Sequence, residues 1–155
     1  AILAHAFERA GRSRTFHVQL SELARRWHAP FGWLGGIKTE PDGRIDLKLH
    51  GLMPIFTAAR VLAIKHGIRA RSTPGRLEGI AALGGVAASD IEQLVEAHRV
   101  IMGFMLAQQL ADAEAGVQLS PRVVLQRLDA RQKDILKAAL QNVQIAVDLA
   151  GEGRL

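Results

Sequence analysis

Apolar residues recur at helical spacing through most of this chain, and the breaks in that spacing divide it into elements. Phe16, Leu20, Leu23, Ala24 and Trp27 share one face of a helix predicted over 16–28, which Pro30 and the glycines at 32, 35 and 36 bring to an end. A shorter helix is predicted over 2–10. Residues 53–66, MPIFTAARVLAIKH, are apolar nearly all round, the pattern of a helix buried on every side. Pro54 suits its first turn, where a missing amide hydrogen costs nothing, and Gly67 after Lys65 and His66 suits its stop. Thr73-Pro74 opens the next helix, which Gly84 and Gly85 close. Ser89-Asp90-Ile91-Glu92 has the form of a capping box, and a stripe follows it through Leu94, Val95, His98, Ile101, Met102, Met105, Leu106, Gln109, Leu110 and Ala113. That helix, to about residue 115, spans ~40 Å at the standard rise. Ser120-Pro121 predicts a short helix carrying Val123, Val124 and Leu128. Asp129 with Gln132 caps a last helix striped by Leu136, Ala139, Leu140, Val143, Ala146, Val147 and Ala150.

One region breaks the helical period. IKTE, PDG and RIDLKLH, over 37–50, alternate charged and apolar residues around a turn signal, as two short extended segments would. In that arrangement Ile37, Ile45, Leu47 and Leu49 face inward. Two long striped helices must bury against something, so the predicted architecture is all-α. It is a helical bundle with two long antiparallel helices and a short extended or hairpin insertion near residues 37–50.

Composition narrows the class. At 155 residues with 48% hydrophobic content, the chain fits one domain over 1–155 with a real core. No apolar run approaches the roughly 20 residues of a membrane span. The start, AILAHAFERAGR, has neither a secretory pattern nor an initial methionine, which suggests a fragment of a longer chain. The absence of cysteine excludes disulfides and thiolate chemistry and fits the cytoplasm.

The net charge of +5 is unevenly placed. Residues 1–76 hold 13 Lys and Arg against 5 Asp and Glu, while residues 77–155 hold 7 against 10. An anionic partner is expected on the first half, or else solvated basic loops around the core. Nucleic acid is disfavoured, because the arginines are scattered and lack interleaved stacking aromatics.

Signatures of catalysis are missing. The sequence has no Gly-x-Ser-x-Gly elbow, P-loop, dinucleotide fingerprint or His-Glu-x-x-His pair, and its six histidines never fall three or four apart. No metal site is expected. His98 and Gln109 read as hydrogen-bonded structural groups within the long stripe, and Met102 and Met105 as core filling. Trp27 and Trp33 bracket a Pro-Gly turn as anchors, or Trp33 contacts a partner. Lys48 and Arg44 would project from one side of an extended segment, just before helix amides around residues 51–54 that attract anions such as phosphate. Asp46 would hold Lys48 in place or bond a hydroxyl. The alternative is a solvated charged edge that prevents aggregation.

The run GRIDLKLHGLMPIFTAARVLAIKHGI, followed by RSTPGRLEGIAALGGVAASDIEQLVEAHRVIMGFMLAQQL, resembles the nucleotidyltransferase substrate-binding domains at the C-terminus of bacterial signal-transduction proteins with CBS or cyclic-nucleotide-binding domains. PFGWLGG is similar to that family's Pro-Leu-Gly-Phe-Phe-Gly segment, and the likeness covers roughly residues 16–112. More distantly, DLKLHGL resembles the Asp-x-Lys-x-Gly-x-Gly-Gly motif of glutamine synthetase adenylyltransferases and of the uridylyltransferases of nitrogen-regulatory proteins. His50 stands where the family has glycine, and Met53 where the distant motif has arginine. Matching positions are Asp46, Lys48, Gly51, Leu52, Pro54, Arg60, Gly67, Ser72, Thr73 and Arg76.

The resemblance implies an accessory helical domain that binds nucleotide or substrate beside a catalytic domain, with Arg44, Asp46, Lys48, Arg60 and Arg76 as its site residues. It implies magnesium and a nucleoside triphosphate for the full-length protein, and upstream nucleotidyltransferase and sensor domains as partners, with a protein substrate or a homodimer beyond these. Neither the Gly-Ser turn nor the Asp-x-Asp pair of such catalytic domains occurs in the chain, so it is expected to be non-catalytic by itself. The competing expectation is a regulatory or dimerisation module that makes no nucleotide contact.

Overall fold

The computed structural model describes residues 2–151 and bears out a mostly helical bundle. Its helices are α1 (Ile2–Arg12), α2 (Arg14–Arg25), α3 (Met53–Lys65), α4 (Thr73–Ala81), α5 (Ala88–Glu114) and α6 (Ala130–Gly151). Two short strands, β1 (Arg44–Asp46) and β2 (Arg122–Val124), form an antiparallel ribbon with Ile45 opposite Val123. The side chains of Leu20, Leu23 and Ala24, which carry the predicted stripe of the second helix, lie outside the described residues.

The core gathers where the stripes meet. Leu136, Leu140 and Val143 of α6 pack with Leu94 and Ile101 of α5 and with Ile55 and Leu62 of α3, all essentially removed from solvent. α3 is central, as its all-round apolar sequence requires: seven of its 13 residues are buried. Gly67 closes it at φ +70°, and Gly116 follows α5 at φ +66°. The last helix has its predicted cap. The Gln132 amide N–H donates to Asp129 Oδ1 at 2.7 Å, and Gln132 Oε1 accepts from the Asp129 N–H at 2.9 Å.

Three predicted local structures differ. Ser89 does not cap α5. The helix begins one turn-position earlier, with Ala87 extended before it, so Ser89 falls inside the first turn. The short helix predicted from Ser120 is instead β2 and a single 3₁₀ turn, Leu125–Arg127. β-branched Val123 and Val124 favour that strand, and burying Val123 opposite Ile45 selects it. The insertion also pairs differently. A tight turn does run from Glu40 to Gly43, closed by the Glu40 N–H donating to the Arg44 carbonyl at 2.8 Å, but the strand partner of β1 is residues 122–124.

β1 is also shorter than its alternating sequence suggests. The chain turns helical at Leu47, and residues Lys48–Leu52 form one π-helical turn that runs into α3. Ile45 and Leu47 are buried as expected, but Leu49 is 58% exposed. Asp46 starts the turn, its Oδ1 accepting from the Leu49 N–H at 2.8 Å. In α-helical pairing the amide of Pro54 would bond the carbonyl of His50, but proline has no N–H to give. The Trp27 indole donates to that carbonyl instead, at 2.9 Å.

A buried polar pair fastens the ribbon to α5. Gln108 Nε2 donates to Asp112 Oδ1 at 2.8 Å, Gln108 Oε1 accepts from the Val124 N–H at 3.1 Å, and Asp112 Oδ2 accepts from the Ser120 N–H at 3.0 Å. Each of these buried oxygens thus has a donor, as its burial demands.

Candidate functional site

The five predicted site residues fall into two groups on different cavities. Arg44 and Asp46 line a cavity of about 280 Å³ with His28, Lys38, Glu40 and His50. Both are engaged in structure. Arg44 Nη1 donates to the Arg122 carbonyl at 3.2 Å across the ribbon, and Asp46 caps the π-turn. Arg122 itself bonds Glu40 and Asp42, so this edge is an internal network of opposite charges. The free amides expected at residues 51–54 are absent, because the π-turn continues into α3 and the Met53 N–H bonds the Lys48 carbonyl. The carboxylate of Asp46 occupies the start of that helical segment.

Lys48 belongs to the other group. It lines a cavity of about 510 Å³ between the π-turn, the start of α3, Thr73 and the middle of α5. Leu52, Met53 and Phe56 form one wall, and His98, Met102, Met105 and Gln109 form the other. These four α5 residues recur at spacings of four, three and four, so they share one stripe of the helix. They are half-buried rather than core-filling. Burial lowers the pKa of His98, which keeps its imidazole neutral toward the cavity. Sequence reasoning assigned them to structure because helical spacing does not tell a stripe that meets a core from one that meets a void.

Gly51 sets how closely the π-turn approaches α5. A Cβ there would lie 2.9 Å from both Cδ1 and Cγ2 of Ile101, so only glycine lets the π-turn come this close to α5. π-turns within helical segments are frequent at functional sites.

Arg60 and Arg76 do not line this cavity, but each lies near a residue that does, Phe56 and Thr73. The Arg60 guanidinium lies over the Phe56 ring at 4.1 Å from its centroid, and Phe56 is a cavity wall. Arg76 sits one turn beyond Thr73 and donates from Nε to the Ala70 carbonyl at 2.9 Å. Ser72 caps α4 by accepting from the Gly75 N–H, which fixes this corner. Arg76 is held below the ordinary arginine value by partial burial and by the like charge of Arg60. None of Lys48, Arg60 and Arg76 pairs with a carboxylate among the described residues.

A groove of about 480 Å³ on the opposite face of α5 is lined by Val100, Phe104, Ala107, Leu128 and Ile135. It contains none of the predicted residues. Trp33 does not anchor its turn: it is 101% exposed, and Leu34 beside it is 94% exposed.

Among the described residues no group of three His, Asp or Glu gathers as a metal site would. The larger cavity has no carboxylate in its lining. Magnesium takes carboxylate and phosphate oxygens, so this donor set does not fit it. No described helix is long and apolar enough to cross a membrane.

The described residues thus form a helical bundle with a cavity that has apolar walls and Lys48 in its lining. Residues 14–151 match the family model described as "Putative nucleotidyltransferase substrate binding domain", and the chain belongs to that family. No curated protein and no solved structure matches it.

Proposed function

We propose that this chain is the accessory substrate-binding domain of a nucleotidyltransferase, and that Lys48, Arg60 and Arg76 hold phosphate oxygens of the nucleotide or its acceptor beside the larger cavity. One observation carries the reading: Lys48 lines a cavity with apolar walls, Arg60 stacks on its wall residue Phe56, Arg76 feels the like charge of Arg60, and none of the three has a carboxylate partner among the described residues. Bringing Arg60 and Arg76 together without a counter-charge costs energy that a bound phosphate would recover. Arg44 and Asp46, by contrast, act through the fold, holding the ribbon and the π-turn that present Lys48.

In this reading the domain is non-catalytic alone. The magnesium and the triphosphate chemistry belong to a catalytic domain of the same longer polypeptide, since the cavity offers no carboxylates for a metal. We read such a protein as part of bacterial signal transduction in the cytoplasm, with CBS or other sensor domains upstream and a protein as a candidate acceptor, a reading that the family resemblance supports. The test is steady-state kinetics of Lys48→Ala in the protein that carries the catalytic domain. The nucleotide or acceptor KM rises about tenfold, as loss of one charge-assisted contact requires. Unchanged kinetics remove Lys48 from the site.

A second reading, a regulatory or dimerisation module, is favoured by one specific feature. Trp33 and Leu34 stand in solvent at the tip of a tight turn in which the Gly32 N–H donates to the Gly36 carbonyl at 2.8 Å. An exposed tryptophan on a fixed turn is the kind of residue that dominates protein interfaces. Sedimentation of Trp33→Ala tests it: a change in assembly with nucleotide binding intact supports this second reading.

A further inference from the structure

We infer that the larger cavity receives a nucleobase, its flat face against Phe56, Met102 and Met105 and its polar edge against Gln109, His98 and Thr73. The inference rests on the phosphate-binding reading of Lys48, Arg60 and Arg76 and adds the other half of the ligand.

The chemistry of the lining selects the class. The chain has three methionines, and all three, Met53, Met102 and Met105, line this one cavity. Thioethers and Phe56 offer soft, polarisable surfaces that suit an aromatic ring better than an aliphatic chain. A purely apolar ligand is excluded by the four polar side chains among them. Lys48, Thr73, His98 and Gln109 line the cavity, and none of these side chains makes a hydrogen bond to another described residue. Thr73 is buried and His98 and Gln109 are half-buried, and polar groups withdrawn from water need partners. Gln109 presents a donor and an acceptor side by side, neutral His98 presents one of each, and Thr73 presents a hydroxyl that does either. A ligand that satisfies them carries alternating donors and acceptors along one edge and apolar faces above and below.

Nucleobases have that form, and they come joined to phosphate. The cations lie on the π-turn, α3 and α4 side, whereas Met102, Met105 and Gln109 lie across the cavity on α5. A nucleotide spanning the cavity thus meets charge at one end and the stacking surface at the other. At about 510 Å³ the space is within the range of small-molecule sites and larger than a base alone needs. The guanidinium of Arg60, stacked on Phe56, connects the two ends.

The experiment uses this chain with its methionine methyls labelled with carbon-13, which gives three resonances that all report on the cavity. Adenosine, guanosine, cytidine and uridine, which carry no phosphate, are titrated to about 10 mM, and inorganic tripolyphosphate is titrated separately. The expected result is that at least one nucleoside shifts the Met102 and Met105 methyls. Gln109→Leu then weakens that nucleoside roughly tenfold while tripolyphosphate binding is unchanged. If no nucleoside moves the methyls while tripolyphosphate binds, the nucleobase inference is overturned and the phosphate reading stands. If neither binds, both fall. The wild-type titration decides the matter even where the Gln109 variant folds poorly.

Discussion

Gly51 approaches Ile101 so closely that a single added carbon would sit 2.9 Å from two carbons of the isoleucine. The π-turn and α5 therefore meet at a contact that only glycine permits, and Lys48, three residues before it, takes its place on the cavity from that contact. Gly51→Ala is expected to cost about 1–3 kcal/mol in urea denaturation, because a well-packed core must shift to admit it. Gly103→Ala is the control. Its Cβ would meet nothing within 4 Å, so replacing a mid-helix glycine there should stabilise by about 0.5–1 kcal/mol.

The Gln108–Asp112 pair is the next point of leverage. Gln108 is 6% exposed and Asp112 is 4% exposed, and together they satisfy backbone amides at Ser120 and Val124. Either residue changed to alanine leaves a buried group without its partner, at about 1–3 kcal/mol. Because the two share one network, the double variant should cost less than the sum of the singles. Full additivity in denaturation would show that the pair does not act as a unit.

His98 makes stability depend on pH. Burial depresses its folded pKa below the ordinary value of about 6.5, so the unfolded chain binds the proton first as pH falls. Its contribution is fully present above about 6.5 and is lost as pH falls from there through the lower folded value. Thermal unfolding followed across that window should show a decline that His98→Gln reduces. An identical decline in the variant would assign the effect to other groups.

Trp33 tests the second reading without disturbing the first. Fully in solvent, it contributes nothing to the core, and Trp33→Ala should leave the unfolding free energy within about 0.5 kcal/mol. A larger loss would show that the turn packs in solution.

What the sequence made legible is what its close neighbours decide. The Asp129–Gln132 box lies within four residues and forms as read. So do the glycine stop at Gly67 and the all-round burial of α3. The Ser89 box failed because a helix already begun at Ala88 leaves its serine nothing to cap. β2 was illegible as a strand because its partner is remote in sequence, Ile45 pairing with Val123, and local propensity does not see that far.

The placement of the candidate residues was only partly legible for the same reason. Lys48 lines the larger cavity and Arg60 stacks on its wall residue Phe56, whereas Arg44 and Asp46 line the smaller one and bond within the ribbon and the π-turn, because β2 arrives to pair with β1. The α5 wall was present in the sequence as His98, Met102, Met105 and Gln109. Only the placement of the π-turn, fixed by Gly51, reveals that this stripe faces a space.

The most direct measurement is a crystal structure of this chain grown with a nucleoside triphosphate. Phosphate density against Lys48, Arg60 and Arg76, with the rest of the molecule between Phe56 and Met102, is the predicted result. Phosphate bound instead beside Arg44 and His50, or an empty cavity with the ligand elsewhere, would contradict it.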